Sequence, residues 1–323
     1  MKAYPLLFTP CFHERIWGGT RLKRFFGYPI PSDKTGEAWV ISDHPNGRSI
    51  IANGFYQGET LQFLSSEHPE WFSKHRLERF PILVKLLDAE DDLSVQVHPD
   101  DEFAAVHENG EMGKTECWYI VHAEPDAEIV YGHRAETREE LAEIIESGRW
   151  EDLLDRVPVR TGDFFYIPSG TIHALGRGIV VLETQQSSDA TYRAYDYDRV
   201  DELGRKRELH IDKVLKVTTV PFAKPQIFLK VLKFGQLQAT RYLEGPYFSV
   251  EKWDLQGTFE TTSKESFLLL SVLSGSGRLD WMDGDMTLTK GDHLLLPRTL
   301  GRYKLSGNLE AIVSYLPHDG MAA

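Results

Sequence analysis

The chain has 323 residues, long for one domain and comfortable for two, and its 41% hydrophobic and 26% charged content is that of an ordinary soluble globular protein. With 36 Lys and Arg against 49 Asp and Glu the net charge is −13, which argues against nucleic acid or an anionic membrane as partner; an anionic small molecule would need a local cluster of basic residues. No apolar run is long enough to cross a bilayer, His13, Glu14 and Arg15 interrupt any leader pattern, and the only cysteines, Cys11 and Cys117, form no CxxC, so a reducing cytoplasm without disulfides is expected.

Most of the chain reads as short strands divided by Gly, Pro, Asn and Asp turns. In order they are EAWVISD, RSIIANG, ILVKLLDA, LSVQVHP, ECWYIVHA, AEIVYGH, DFFYIPSG and IVVLETQQ, a density that predicts a β-sandwich or barrel. Two helical islands interrupt it. One covers residues 59–76, with a break at His68-Pro69. The other, residues 137–156, opens on the capping-box form Thr137-Arg-Glu-Glu140 and carries the stripe Leu141, Ile144, Ile145, Leu153 and Leu154. A short helix at residues 210–217 precedes VPFAKPQI, whose two prolines mark a domain boundary, and strands resume near Phe228. The expected domains are therefore residues 1–220 and 221–323.

The two parts share an echo. Gly162-Asp-Phe-Phe-Tyr-Ile-Pro168 recurs as Gly291-Asp-His-Leu-Leu-Leu-Pro297, a Gly-Asp turn, an apolar strand and a proline. The first copy continues to His173, whereas the second has no histidine at the matching place. One working site and one structural partner are expected.

The stretch LSVQVHPDD, residues 93–101, places Ser94, Gln96 and His98 on one face of a strand and Leu93, Val95 and Val97 on the other. An amide and an imidazole on one face are either two polar residues or two metal ligands. Among the carboxylates that follow, Glu102 lies in Asp100-Asp101-Glu102-Phe103, which reads as a helix start, where acids suit the helix dipole. Glu116, which opens the strand containing Trp118 and Ile120, is the better carboxylate.

The pattern from Gly162 to His173, G-x5-P-x-G-x2-H, resembles the second motif of the cupin superfamily, whose members are metal-holding jelly rolls, or double-stranded β-helices. The first cupin motif has HxH where this chain has Gln96-Val-His98. QVHP, GKTE, PSGTIHALG and SSDATYRAYD, in that order, together with IWGG and GEAWVISDHPNG, resemble the short bacterial form of type I mannose-6-phosphate isomerases over nearly the whole chain. The resemblance implies a mainly β chain of two cupin-type jelly rolls with small helical insertions, the second roll degenerate. It also implies one Zn²⁺ per chain on His98, Glu116 and His173, with Gln96 a weaker fourth ligand. The implied reaction interconverts mannose 6-phosphate and fructose 6-phosphate through an enediol(ate). Arg193 and Lys114 match catalytic cations, while Lys85, Asp189 and Glu183 match the substrate-binding region. A lysine inside ILVKLLDA is either paired structurally or faces the pocket. Arg193 is expected on a loop over the barrel mouth, with pairing to Asp189, Asp196 or Asp198 as its structural alternative. Two other functions compete: a cupin oxygenase, which would keep the HxH that Gln96 breaks, and a non-catalytic sugar-binding cupin, which would lack Arg193, Lys114 and a full ligand set.

Overall fold

The structure, a computed structural model, describes residues 2–317 apart from 75–76, 201–202 and 264–265. The short strands assemble into three antiparallel sheets. One runs from edge to edge through Phe164–Ile167, Glu116–Ala123, Ile179–Gln186, Ile82–Ala89, Thr35–Ile41 and Cys11–Gly19. A second runs through Tyr192–Tyr195, Val95–Val97, His173–Leu175, Glu128–His133 and Leu154–Pro158. These two close on each other as the first jelly roll, and Leu87, Trp118, Ile120 and Val181 of one pack with Ile129, Tyr131 and Leu175 of the other.

The third sheet forms the second roll around its long strands Ser249–Thr262, Leu268–Trp281 and Arg302–Tyr315. It also takes in Leu6–Thr9, which pairs with His293–Leu296 on one side and Ile50–Ile51 on the other. The chain is thus mainly β, with two cupin-type rolls.

Strand alternation explains why ILVKLLDA is apolar on both faces. Ile82, Val84 and Leu86 enter a core shared with Phe248, Phe267, Leu269 and Ile312 of the second roll. Leu87 and Ala89 enter the interior of the first roll, and Lys85 shares that inner face. The six-stranded sheet is therefore covered on both sides. Its inner face lines a cavity with Lys85 and Glu183.

The helical islands are shorter than the periodicity predicts. The first is a helix at Leu61–Glu67 and a 3₁₀ turn at Pro69–Trp71, separated at His68-Pro69 as expected. It does not continue past Trp71, and residues 75 and 76 lie outside the described ones. The second is Arg138–Glu146 followed by Trp150–Leu153, and Leu154 already opens a strand. Thr137 Oγ1 accepts the Glu140 N–H at 3.1 Å, but the Glu140 carboxylate turns to the Glu136 N–H at 2.8 Å instead of closing the box on Thr137. Thr137→Ala should accordingly cost about 1 kcal/mol, read as a lowered thermal midpoint with unchanged activity. The helix Ile211–Val217 falls where expected, and strands resume at Lys230. The echoed turns use one geometry. Gly162 and Gly291 adopt φ of 95° and 93°, open to glycine and strained for other residues, before the strands Phe164–Ile167 and His293–Leu296.

Candidate metal centre and adjoining cavity

His173 lies at the centre of the five-stranded sheet, paired with Gln96 on one side and Tyr131 on the other. His98 follows the strand Val95–Val97, and Glu116 begins the facing sheet. Closing the roll brings these three donors together with their ligand atoms within 4.8 Å of one another, all buried. Among the described residues this is the one cluster of three or more such side chains.

Backbone contacts fix both imidazoles. His98 Nδ1 donates to the Ala190 carbonyl at 2.9 Å, and His173 Nδ1 donates to the Thr171 carbonyl at 2.9 Å. Each Nε2 is left with its lone pair facing Glu116, 3.4 Å from Oε2 for His98 and 3.4 Å from Oε1 for His173. Burial, then the Lys114 ammonium, push His98 down to about 3, and burial likewise lowers His173, so both rings are neutral near pH 7. Burial alone would raise the Glu116 carboxyl, but the Lys114 ammonium and then His98 outweigh it and hold it well below the usual range. Two lone pairs and a carboxylate converge with no proton between them, and Glu116 Oε1 has no hydrogen-bond partner. This donor set fits a divalent cation. It already draws one cation of the protein, since Lys114 Nζ lies 2.6 Å from Glu116 Oε2 and 3.0 Å from His98 Nε2. The Gln96 side-chain nitrogen lies 3.3 Å from His173 Nε2, so Gln96 borders the cluster.

Gln96 and Lys114 also line a cavity of ≈ 370 Å³ that opens beside the cluster. One wall is a cross-strand row on the six-stranded sheet, in which Trp39 faces Lys85, Lys85 faces Glu183 and Glu183 faces Trp118. Lys85 Nζ stacks 4.5 Å from the Trp39 ring centre and lies 3.8 Å from Glu37 and 3.7 Å from Glu183. Glu37 in turn accepts from Arg15 at 2.6 Å and from the Trp39 indole at 2.7 Å. Its burial would raise the carboxyl, but Lys85 and then Arg15 pull it down to about 2. Glu183 behaves in the opposite way, since burial and then the Glu116 charge raise it. It accepts the Trp118 indole N–H at 3.0 Å, yet its Oε1 has no hydrogen-bond partner. The lysine is both paired and in the pocket.

The other wall holds Arg193 and Arg207. Arg193 is not on a loop: it lies in the strand Tyr192–Tyr195, paired with Gln96, because the chain after Thr191 adds an edge strand to the five-stranded sheet. Its guanidinium donates to the Glu208 carbonyl at 2.8 Å and its Nε is buried without a partner. None of the proposed aspartates pairs with it. Asp196 is taken by Arg199 and Arg207, Asp198 by Lys206, and Asp189 accepts from Asn46 at 2.9 Å while facing the cavity. Burial, then the neighbouring Arg207 charge, lower the Arg193 pKa, while the Asp196 carboxylate that holds Arg207 acts in the opposite sense.

The structure thus brings all nine predicted site residues to one cluster and cavity. One strand assignment changes. Leu93 lines the cavity and packs with Trp17, whereas Val95 and Val97 pack outward against the helices, because the strand begins only at Val95. Arg15, Trp17, Glu37 and Arg207 are cavity residues that the pattern did not single out. For Glu37 the cue was present: it opens the apolar run EAWVI much as Lys85 interrupts ILVKLLDA. Arg15 and Arg207 carry no such cue.

Comparison with known proteins agrees with this geometry. Residues 6–114 match the catalytic domain of type I phosphomannose isomerase, and residues 238–316 match the cupin domain of mannose-6-phosphate isomerase. The mannose-6-phosphate isomerase ManA of Bacillus subtilis is 52% identical over 316 residues, spanning 98% of this chain and 100% of that protein. A mannose-6-phosphate isomerase of Streptococcus mutans is 49% identical over 314 residues, 97% of this chain and 98% of its own length. The crystal structure of the mannose 6-phosphate isomerase from Bacillus subtilis superposes with a TM-score of 0.94 at 50% identity, covering 97% of this chain and 99% of that one.

Proposed function

The chain belongs to the type I phosphomannose isomerase family, and on that premise we propose that it interconverts mannose 6-phosphate and fructose 6-phosphate as a zinc-dependent aldose–ketose isomerase, through an enediol(ate). The observation that carries this reading is the convergence of His98, Glu116 and His173 beside a cavity with a polar, cation-bearing wall. Two imidazoles and a carboxylate suit Zn²⁺ and leave a position for substrate or water, with Gln96 as the weaker contact. When bound, zinc would supply Lewis-acid polarisation of the sugar oxygens where charge develops. A cupin oxygenase is disfavoured by the glutamine at position 96, and a merely sugar-binding cupin has no use for the complete donor set.

The chain's own residues divide the remaining work. Isomerisation moves a proton from C2 to C1 and places negative charge on oxygen in between. Arg193, next to Gln96 in the sheet, offers a buried N–H and a charge that persists at any working pH. Lys114 stays protonated because Glu116 and then Glu183 outweigh its burial, so it serves as a cation and not as a base. Glu183, which lines the cavity, has a carboxylate oxygen without a hydrogen-bond partner, 3.7 Å from Lys85, and holds its proton more readily than an ordinary glutamate, so it can carry the transferred proton. Arg207 gives the phosphate dianion a second guanidinium beside Arg193, and Lys85 and Asp189 flank the sugar. We read residues 1–220 as the catalytic unit and 221–323 as its partner, the first lending residues 6–9 and 50–51 to the second sheet. The free thiols of Cys11 and Cys117 support a cytoplasmic setting.

A coupled assay on mannose 6-phosphate, before and after chelation and again after zinc is restored, tests the reading. Activity should vanish on chelation and return with metal; activity that survives complete metal removal would overturn the zinc requirement. Binding a dianion in a chain of net charge −13 relies on local cations, so KM should rise with ionic strength as those charges are screened. A salt-independent KM would assign the phosphate to neutral donors.

A further inference from the structure

The second roll holds a cavity of its own, ≈ 350 Å³ against ≈ 370 Å³ for the first. Phe234, Trp253, Phe259, Tyr303 and Tyr315 give it an aromatic lining. One side repeats a wall of the first cavity. There, Arg15 pairs with Glu37, whose second oxygen accepts the indole N–H of Trp39, two residues along the strand. Here, Arg241 pairs with Glu251 at 2.9 Å, and the second oxygen of Glu251 accepts the indole N–H of Trp253 at 3.0 Å, again two residues along. The glutamate is completed by Lys85 in the first case and by the Tyr315 hydroxyl, at 2.8 Å, in the second.

The differences define the ligand. The second cavity is lined by no histidine or cysteine, and no metal-type cluster is found in it among the described residues. Among the described residues its charged lining is one arginine against the two carboxylates Glu251 and Glu260, so it disfavours a phosphate dianion. One lining hydroxyl is left to be satisfied: Ser266 Oγ is buried without a hydrogen-bond partner, while Tyr303 adds a second hydroxyl to the lining. A buried hydroxyl without a partner is costly, and a ligand that supplies one recovers that cost. Aromatic faces with a few fixed polar groups suit a ring that is apolar on its C–H face and hydroxylated at its edge.

We propose that the aromatic cavity of the second roll is a binding site for a neutral hexose in its pyranose form. The ring stacks on the aromatic lining, and its hydroxyls pair with Tyr303, Ser266 and the Arg241–Glu251 pair. The site is separate from the isomerase cavity and takes no part in proton transfer.

Calorimetric titration of D-mannose into the zinc-loaded protein tests this, alone and with mannose 6-phosphate at saturating, equilibrated concentration. One site per chain is expected, with Kd on the order of 1 mM, little changed by the sugar phosphate. Thr258 is exposed at the cavity lining, so Thr258→Trp should obstruct it, weaken hexose binding at least about tenfold (1.4 kcal/mol) and leave isomerase kcat and KM unchanged. Glu251→Gln should weaken it similarly. Absent binding, binding abolished by the sugar phosphate, or equal affinity in Thr258→Trp would each overturn the proposal. The Thr258→Trp comparison stands whether or not the isomerase reading does.

Discussion

His173→Ala is expected to strip the protein of most of its metal and to lower kcat by at least about 10³-fold, with the fold retained. The argument rests on how few donors there are. His98, Glu116 and His173 are the firm ones, and loss of a supporting contact alone typically costs about 10- to 100-fold in metal affinity, so loss of a ligand should cost more. Gln96 cannot compensate, because a neutral amide is a poor substitute for an imidazole. The fold should persist, since His173 keeps its place in the sheet through backbone pairing with Gln96 and Tyr131, and alanine can make the same bonds. The thermal midpoint must be compared with that of chelated wild type, because bound metal itself stabilises the native state. Metal analysis should give about one equivalent for wild type and a small fraction of that for the variant. An alanine variant retaining a full equivalent would remove His173 from the ligand set, and two tightly held metals in wild type would overturn the account of the second roll.

The second large effect is at Arg193. Arg193→Ala should lower kcat by about 10²–10³, roughly 3–4 kcal/mol of barrier, which is what loss of one donor to a developing oxyanion costs. Metal content and thermal midpoint should hardly move. The structure strengthens the separation of function from stability: the guanidinium makes one carbonyl hydrogen bond, to Glu208, and the nearby aspartates are engaged elsewhere. Lysine should restore activity only in part, since it keeps the charge but not the planar fork. A purely structural arginine predicts the reverse pattern: kcat near wild type, a raised KM and a lower midpoint. Measuring all three on the alanine variant decides, and an unchanged kcat would take Arg193 out of the catalytic machinery.

The candidate metal donors were legible because each begins or directly follows a short strand, beside a proline or glycine that is a local signal. His98 before Pro99 and His173 after Gly170 could be placed by counting. Arg193 was legible as a residue but not in its setting, since nothing near it announces an edge strand; Tyr192–Tyr195 is held by pairing with Gln96, a contact distant in sequence. Arg15 and Arg207 escaped for the same reason, as both reach the cavity only once sheets and loops far apart in the chain have closed. The pairing of Leu6–Thr9 with His293–Leu296 was likewise invisible, because a four-residue strand carries no mark of its partner.

That last pairing has a consequence for synthesis. Leu6–Thr9 leaves the ribosome long before its partner strand His293–Leu296. At ordinary elongation rates the interval is on the order of tens of seconds. Meanwhile Cys11–Gly19, one residue further on, belongs to a different sheet, and Ile50–Ile51 covers only one edge of the waiting strand. A ribosome-bound chain therefore carries an open strand edge while its first roll forms, the kind of edge that invites pairing with other chains. That edge closes only once His293–Leu296 has emerged and taken up the waiting strand.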